Sequence, residues 1–116
     1  MSGLKNVKEL VPAQVQNASQ EVTAASGTVN AMIRSGQLVL NTSGTPDVVL
    51  GTPQPGDELL IIGKGSGAVT VTLPSGVTWD GTNRIATFGS NKLLLVRAES
   101  TTRFRIIVNT GAVAFS

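Results

Sequence analysis

The sequence predicts an all-β domain, an antiparallel sandwich, jelly roll or barrel-like fold, preceded by a short N-terminal arm. Two observations carry this prediction. Apolar runs of strand length recur at roughly 8–12-residue spacing, and turn-forming Ser-Gly pairs separate many of them. Strands do not alternate with helical patterns, so a parallel sheet is not expected. The 116 residues are enough for one domain with its own core.

Residues 1–17 differ from the remainder and form the predicted arm. Four apolar residues recur there at spacings of three and four, which allows about one or two helical turns. They are Leu4, Val7, Leu10 and Val11. Pro12 ends any such helix, and so short a helix is marginal by itself. Two alternatives stay open: a frayed terminus, or an arm that orders against its own oligomer or a partner. In the second case these four residues bind the partner.

Residues 18–116 carry the β pattern, and their first half contains six predicted strands. Ser-Gly pairs mark the turns, because glycine reaches positive φ at little cost and serine bonds the local backbone. The pairs are Ser26-Gly27, Ser35-Gly36, Ser43-Gly44, Ser66-Gly67 and Ser75-Gly76. The strand-length runs are QEVTAA, TVNAMIR, QLVLN, DVVLG, ELLIIG and AVTVTL. In the last run apolar residues alternate with threonines, which is typical of a half-buried antiparallel strand.

The second half contains further short runs, which complete a prediction of around nine to eleven strands. These runs are GVTWDG, NRIATFG, KLLLVRAE, TTRFRIIVN and GAVAFS. Residues 59–62 and 93–96 are continuously apolar, which indicates strands covered on both faces. Phe104 and Ile106 share a face opposite Arg103 and Arg105. The final run is interpreted as a last strand that closes the sheet or as a subunit contact, with Phe115 as an oligomer-contact candidate.

The residue types disfavour an enzyme. The chain has no cysteine and no histidine, which removes thiolate nucleophiles, the commonest metal ligands and the usual general base near neutral pH. The glycine-rich segment at residues 63–67 lacks the spacing of a phosphate-binding loop, and Asp57 with Glu58 supplies too few oxygens for calcium. We therefore predict no catalytic, cofactor-binding or metal-binding residues.

Charge gives little information about partners. The net charge is +2 and the basic residues are scattered, so nucleic-acid binding is not expected. The nearest approach to a basic cluster is Arg97, Arg103 and Arg105, either a solvated strand face or a contact with an acidic partner. No run is long enough to span a membrane, and residues 1–20 lack the apolar core of a signal peptide, so the expected site of synthesis is a cytoplasm-like compartment.

Two features are consistent with a second chain that covers part of the surface. Charged residues make up only 14% of the sequence, which fits either a Thr/Ser/Asn-rich exterior or a surface covered by another chain. Trp79 is interpreted as a core residue or a subunit-interface anchor in preference to a carbohydrate platform. Trp79 is therefore an oligomer-contact candidate beside Phe115.

Four segments together resemble small virion structural proteins of tailed bacteriophages, namely capsid decoration (cement) proteins and related head-fibre or tail-fibre modules. The segments are EVTAASGTVN, PGDELLIIGKGSGAVTVTLP, LPSGVTWDGTNRIATFG and NKLLLVRAESTTRFRIIVNTGAVAFS. The resemblance covers about residues 20–116 and leaves out the arm. It implies an all-β unit without catalytic residues, commonly a homotrimer, that is made in the host cytoplasm and strengthens the capsid from its outer surface.

The expected function is therefore a structural virion protein whose partners are the major capsid protein and further copies of itself. A capsid-gripping role of residues 1–17 is inferred from their composition, since the resemblance does not reach them. The alternative is a phage fibre or receptor-binding module that recognises host surface glycans. A glycosidase or peptidase is the third possibility, and the missing histidine and cysteine argue against it.

Overall fold

The computed structural model describes residues 18–116, which form ten strands in two sheets around one core. The strands are β1 (Ser19–Val22), β2 (Thr28–Asn30), β3 (Gly36–Leu40), β4 (Asp47–Val49), β5 (Glu58–Gly63), β6 (Val69–Thr72), β7 (Ile85–Phe88), β8 (Lys92–Ala98), β9 (Phe104–Thr110) and β10 (Ala114–Phe115). Sheet 1 has the order β9-β8-β5-β3-β1, and sheet 2 has the order β10-β7-β6-β4-β2. The predicted all-β sandwich is confirmed.

The first six strands are parallel, and here the prediction of antiparallel pairing was wrong. The chain alternates between the sheets, so that β1 with β2, β3 with β4 and β5 with β6 form three stacked coils. Each coil pairs in parallel with the next in both sheets. A parallel connection must return the chain to its starting end. Here the return is a strand in the opposite sheet, so no helix is needed.

The last four strands are antiparallel, as predicted. Strand β7 pairs with β6, β8 with β5, and β9 with β8, so this half extends both sheets beyond the third coil. Strand β10 pairs with β7 at the edge of sheet 2. The interpretation of the final run as a last strand is thereby confirmed.

Glycines allow the coils to approach closely at one corner of the stack. A Cβ added to Gly67 would overlap the carbonyl oxygen of Gly44 in the coil before it, and a Cβ on Gly44 would overlap that of Ala25. Both obstacles are backbone, which cannot rotate away. Neither glycine has a positive φ, so close approach rather than backbone conformation is what requires glycine here.

The core lies between the sheets and is filled by the inward-pointing side chains of both. Leu38, Ile61 and Leu94 contribute from sheet 1, and Val71 and Phe88 from sheet 2, each at most 1% exposed. No buried side-chain nitrogen or oxygen among residues 18–116 lacks a hydrogen-bond partner. The buried polar side-chain atoms of this part of the chain are therefore all hydrogen-bonded, and a surface that binds another molecule must lie on the outside of the sandwich.

Candidate binding surface

The outer face of sheet 2 is mostly polar, and two of its threonines hydrogen-bond to a neighbouring aspartate. The Thr70 hydroxyl donates to Asp47 Oδ1 over 2.9 Å, and the Thr72 hydroxyl donates to the same oxygen over 2.7 Å. Thr87 lies opposite Thr70 on the neighbouring strand. Threonine suits an exposed strand because its branched side chain fits the pleat while its hydroxyl meets water. Val49 and Ile85 are the half-buried apolar residues on this face, which is therefore less apolar than the outer face of sheet 1.

The outer face of sheet 1 has an apolar centre. Five half-buried side chains form what we call the apolar face: Val39, Leu60, Ile62, Leu93 and Leu95. The register brings them together, because Leu60 lies opposite Leu95 while Ile62 lies between Leu93 and Val39. These are the outward-pointing residues of the continuous apolar runs, whose inward-pointing residues fill the core.

Strand β9 extends the apolar face towards the edge of the sheet. A register shift between Ile106 and Val108 marks a β-bulge. After the bulge Val108 lies opposite Leu95 and is 40% exposed, while Ile107 is 46% exposed. A bulge at an edge strand bends the strand and discourages pairing with another chain. The exposed apolar surface at this edge is therefore presented by its side chains rather than by a free backbone ladder.

A groove of about 580 Å³ opens at one end of the apolar face. Leu60 and Leu95 contribute apolar side chains, Arg97 and Glu58 contribute charge, and Ala18 lies where the described chain begins. The remaining lining residues are Ser35, Gly36, Gln37 and Gly56. The groove is open rather than enclosed, so its shape suits a segment of another surface better than a small ligand.

Two of the three predicted arginines are cross-strand neighbours, and one of them, Arg97, lines the groove. Arg97 lies opposite Arg105 on one side and opposite Glu58 on the other, and both arginines are exposed. We call Arg97 and Arg105 the basic corner. Arg103 is elsewhere: its Nε lies 3.5 Å from Glu99, and it donates to the carbonyl of Asp80 over 3.4 Å. The structure therefore does not form one cluster of three arginines.

The aromatic residues named from the sequence lie in and beside the core. Trp79 is fully buried, stacks on Phe104 with ring centroids 5.3 Å apart, and donates its indole N–H to the carbonyl of Arg84 over 3.0 Å. Two interpretations were given for Trp79, and in the structure it is a core residue. Phe115 is half-buried and its ring lies 6.5 Å from that of Trp79. The four apolar arm residues lie outside the described residues.

Several carboxylates of residues 18–116 hold turns together. Asp57 is 8% exposed, pairs with the Arg34 guanidinium at 2.6 Å and accepts the Gln54 N–H. The N–H of Asn83 donates to Asp80, and this hydrogen bond lowers the pKa of Asp80 below its ordinary value of 3.8 against the opposing effect of partial burial. No three metal-binding side chains come together within residues 18–116.

No protein-family model matches the chain, and no curated protein matches it with significant similarity. Within residues 18–116 no helix has the length and apolar character needed to cross a membrane. What the described part of the chain offers is a surface: the apolar face, the groove beside it and the basic corner. The sequence predicted that the apolar runs at residues 59–62 and 93–96 form strands covered on both faces. It did not show that their outward-pointing residues share one face, because that depends on how β3, β5 and β8 pair.

Proposed function

We propose that this protein is a structural virion protein that binds the outer surface of a phage capsid and reinforces the lattice without catalysis. The resemblance of residues 20–116 to phage decoration and fibre modules suggests the setting, including a homotrimer and the major capsid protein as partner. The observation that carries the proposal is the apolar face. An outer face with an apolar centre on one sheet, opposite a mostly polar face on the other, is typical of a surface that binds another protein.

Burial of the apolar face at an interface contributes favourably to the free energy of binding. Full burial of a Leu, Ile or Val side chain contributes roughly 1.5–3 kcal/mol, and at most about a third of each of these residues is exposed, so covering it contributes about 0.5 kcal/mol each. Five such side chains give about 2–3 kcal/mol before the cost of association. A trimer on a symmetric lattice repeats the contact three times, and such avidity makes a modest single contact effective.

The basic corner gives the contact a preferred orientation. Arg97 and Arg105 lie side by side at the end of the apolar face, where a carboxylate on the capsid protein would meet two guanidinium groups. Residues 1–17 join the described chain at Ala18, on the lining of the same groove. Leu4, Val7, Leu10 and Val11, which lie outside the described residues, belong to the same proposal as contacts with the capsid protein.

The test compares two matched lysine substitutions for binding to capsids assembled without this protein. Leu95→Lys places a charge in the centre of the apolar face, whereas Thr87→Lys places the same charge on the outer face of sheet 2. Both positions are half-buried and point outwards. We expect at least about a tenfold loss of affinity for Leu95→Lys, since a buried unpaired charge costs more than 1.4 kcal/mol, and little change for Thr87→Lys. Equal binding by the two variants would contradict the proposal.

Recognition of host surface glycans remains the alternative function, and the same purified protein tests it. A glycan array should give no specific signal if the apolar face binds a protein rather than a glycan. Specific glycan binding, together with no binding to undecorated capsids, would replace the capsid proposal with the fibre proposal.

A further inference from the structure

We propose that Met32 and an apolar pit beside it form the contact between copies of this chain, with Met32 of one copy filling the pit of the next. None of the residues that line this pit belongs to the apolar face or to the groove. The proposed function includes a homotrimer but names no contact that holds it together. This inference supplies that contact, and it rests on the proposed function only for the number of copies.

Met32 is the most exposed large apolar side chain within residues 18–116, at 84%. The residues on either side of it, Ala31 and Ile33, are half-buried and pack against the core. Because its two neighbours point inwards, Met32 points away from the core. A fully exposed methionine gains more from burial in a contact than the half-buried side chains of the sheets do.

Two hydrogen bonds hold the backbone that carries Met32. The N–H of Ala31 donates to the carbonyl of Val49 over 2.9 Å, and the N–H of Met32 itself donates to Oε1 of Gln20 over 2.6 Å. A side chain on a backbone that is already held loses less conformational entropy on binding than one on a free loop. Met32 is therefore positioned for a contact before the contact forms.

The pit beside Met32 has a volume of about 160 Å³. Three core residues contribute to its lining, Leu50, Leu59 and Phe104, and each is at most 5% exposed. A cavity of about 150 Å³ with a comparable apolar lining holds a benzene-sized group. The pit therefore has room for one apolar side chain.

The projecting side chain and the pit are adjacent, because Met32 is itself one of the residues that line the pit. Around a symmetry axis that passes close to Met32, each copy places its Met32 in the pit of a neighbour and receives another in its own pit. An unrelated partner would need both a projecting apolar side chain and a recess at the same spacing. A second copy of the chain has both, so a second copy is the occupant that the surface fits.

The charges beside the pit do not oppose such a contact. Of the described residues that line the pit, only Arg34 is charged, and its guanidinium pairs with Asp57 at 2.6 Å. Like charges that meet across a symmetry axis repel one another, but here each cation has its own carboxylate. Centres of protein interfaces are enriched in methionine and aromatic residues and depleted of charge, which is the composition of this patch.

Sedimentation equilibrium of the full-length protein tests the contact with three substitutions. Met32→Gln keeps an unbranched side chain of similar length but makes it polar, whereas Met32→Leu keeps it apolar at similar volume. The control, Ile107→Gln, makes the same polar replacement at the next most exposed apolar side chain, which does not line the pit.

We expect the natural protein and Met32→Leu to associate into trimers. Association of Met32→Gln should be at least about tenfold weaker, since an apolar anchor in a pit carries much of the binding free energy of a small contact. Ile107→Gln should associate like the natural protein. Urea unfolding should give the same stability for the dissociated forms of all four proteins, because both substituted side chains are exposed.

Three results would overturn the proposal: a natural protein that stays monomeric at millimolar concentration, a Met32→Gln variant that associates as tightly as the natural protein, or an equal loss of association in Ile107→Gln. Dimers in place of trimers, with the same response to Met32→Gln, would support the contact and remove the homotrimer from the proposed function.

The experiment contains no capsid, so its failure is distinguishable from failure of the proposed function. Association that depends on Met32, together with capsid binding by Leu95→Lys at the natural level, would support this contact and remove the capsid role of the apolar face. Association that does not depend on Met32, together with weak capsid binding by Leu95→Lys, would overturn this contact alone.

Discussion

Replacing Gly67 by Ala should strongly destabilise the stack of coils. The added Cβ would overlap the carbonyl oxygen of Gly44 and the carbonyl carbon of Ser43. All of these atoms are backbone, so no side chain can rotate to relieve the overlap. Parallel pairing of β4 with β6 fixes the spacing of the two coils only a few residues away.

The cost follows from these contacts. Overpacking against a rigid neighbour typically costs about 1–3 kcal/mol, and this site belongs at the upper end because both sides are backbone. The Gly67 N–H also donates to the Thr42 carbonyl over 2.9 Å, and weakening that hydrogen bond adds about 1 kcal/mol. We expect a total loss of about 3 kcal/mol, which lowers the melting temperature by roughly 12 °C for a domain of this size.

Urea unfolding followed by the fluorescence of Trp79, the single and fully buried tryptophan, measures this loss. Gly51→Ala is the matched control, because no heavy atom lies within 4 Å of a Cβ at Gly51 and its φ is not positive. It should change stability by less than about 0.5 kcal/mol, or stabilise slightly by restricting the unfolded chain. If Gly67→Ala and Gly51→Ala prove equally stable, the close stacking of the second and third coils is refuted.

Two further predictions concern the closing strand and a turn. Phe115→Ala should lower the free energy of unfolding by about 2 kcal/mol, since Phe115 is half-buried against Trp79, and unchanged stability in urea would show that β10 does not close the sheet. The depressed pKa of Asp80 contributes stability that is present above its unfolded pKa near 3.8 and is lost as pH falls through the lower folded pKa. The difference in unfolding free energy between the natural protein and Asp80→Asn should therefore be constant above about pH 5 and shrink below about pH 3.8, and an NMR titration midpoint for Asp80 at or above 3.8 would contradict this.

The fold class was predictable because strand periodicity and turn residues are local signals. Alternation at residues 69–73 was enough to identify a strand and its apolar face, and the apolar runs in β5 and β8 were enough to identify two further strands. The parallel order of the first six strands was not predicted, because strand length and alternation are the same in both pairings. One signal was available: Ser43-Gly44 and Ser66-Gly67 occupy equivalent corner positions in consecutive coils, which indicates a repeat.

The candidate surface was predictable only in part. The continuous apolar runs indicated cover on both faces, but the partner strands decide which outward residues become neighbours. Leu60 meets Leu95 because β5 and β8 are antiparallel at that register, and Val39 joins them because β3 is parallel to β5. The three arginines look alike in sequence, yet Arg103 contacts Glu99 and Asp80, while Arg97 lines the groove and has Arg105 opposite it. The pairing of strands that are distant in sequence places Arg103 apart from the other two arginines, and sequence periodicity carries no information about that pairing.

Electron cryomicroscopy of intact virions is the sharpest test of the proposed capsid role, since it locates both the protein and the face that contacts the capsid. We expect density for this β-sandwich on the outer surface of the head lattice, with the apolar face of sheet 1 and the basic corner against the major capsid protein. Density on a fibre, or a head-bound sandwich whose threonine-rich sheet 2 faces the capsid, would contradict it.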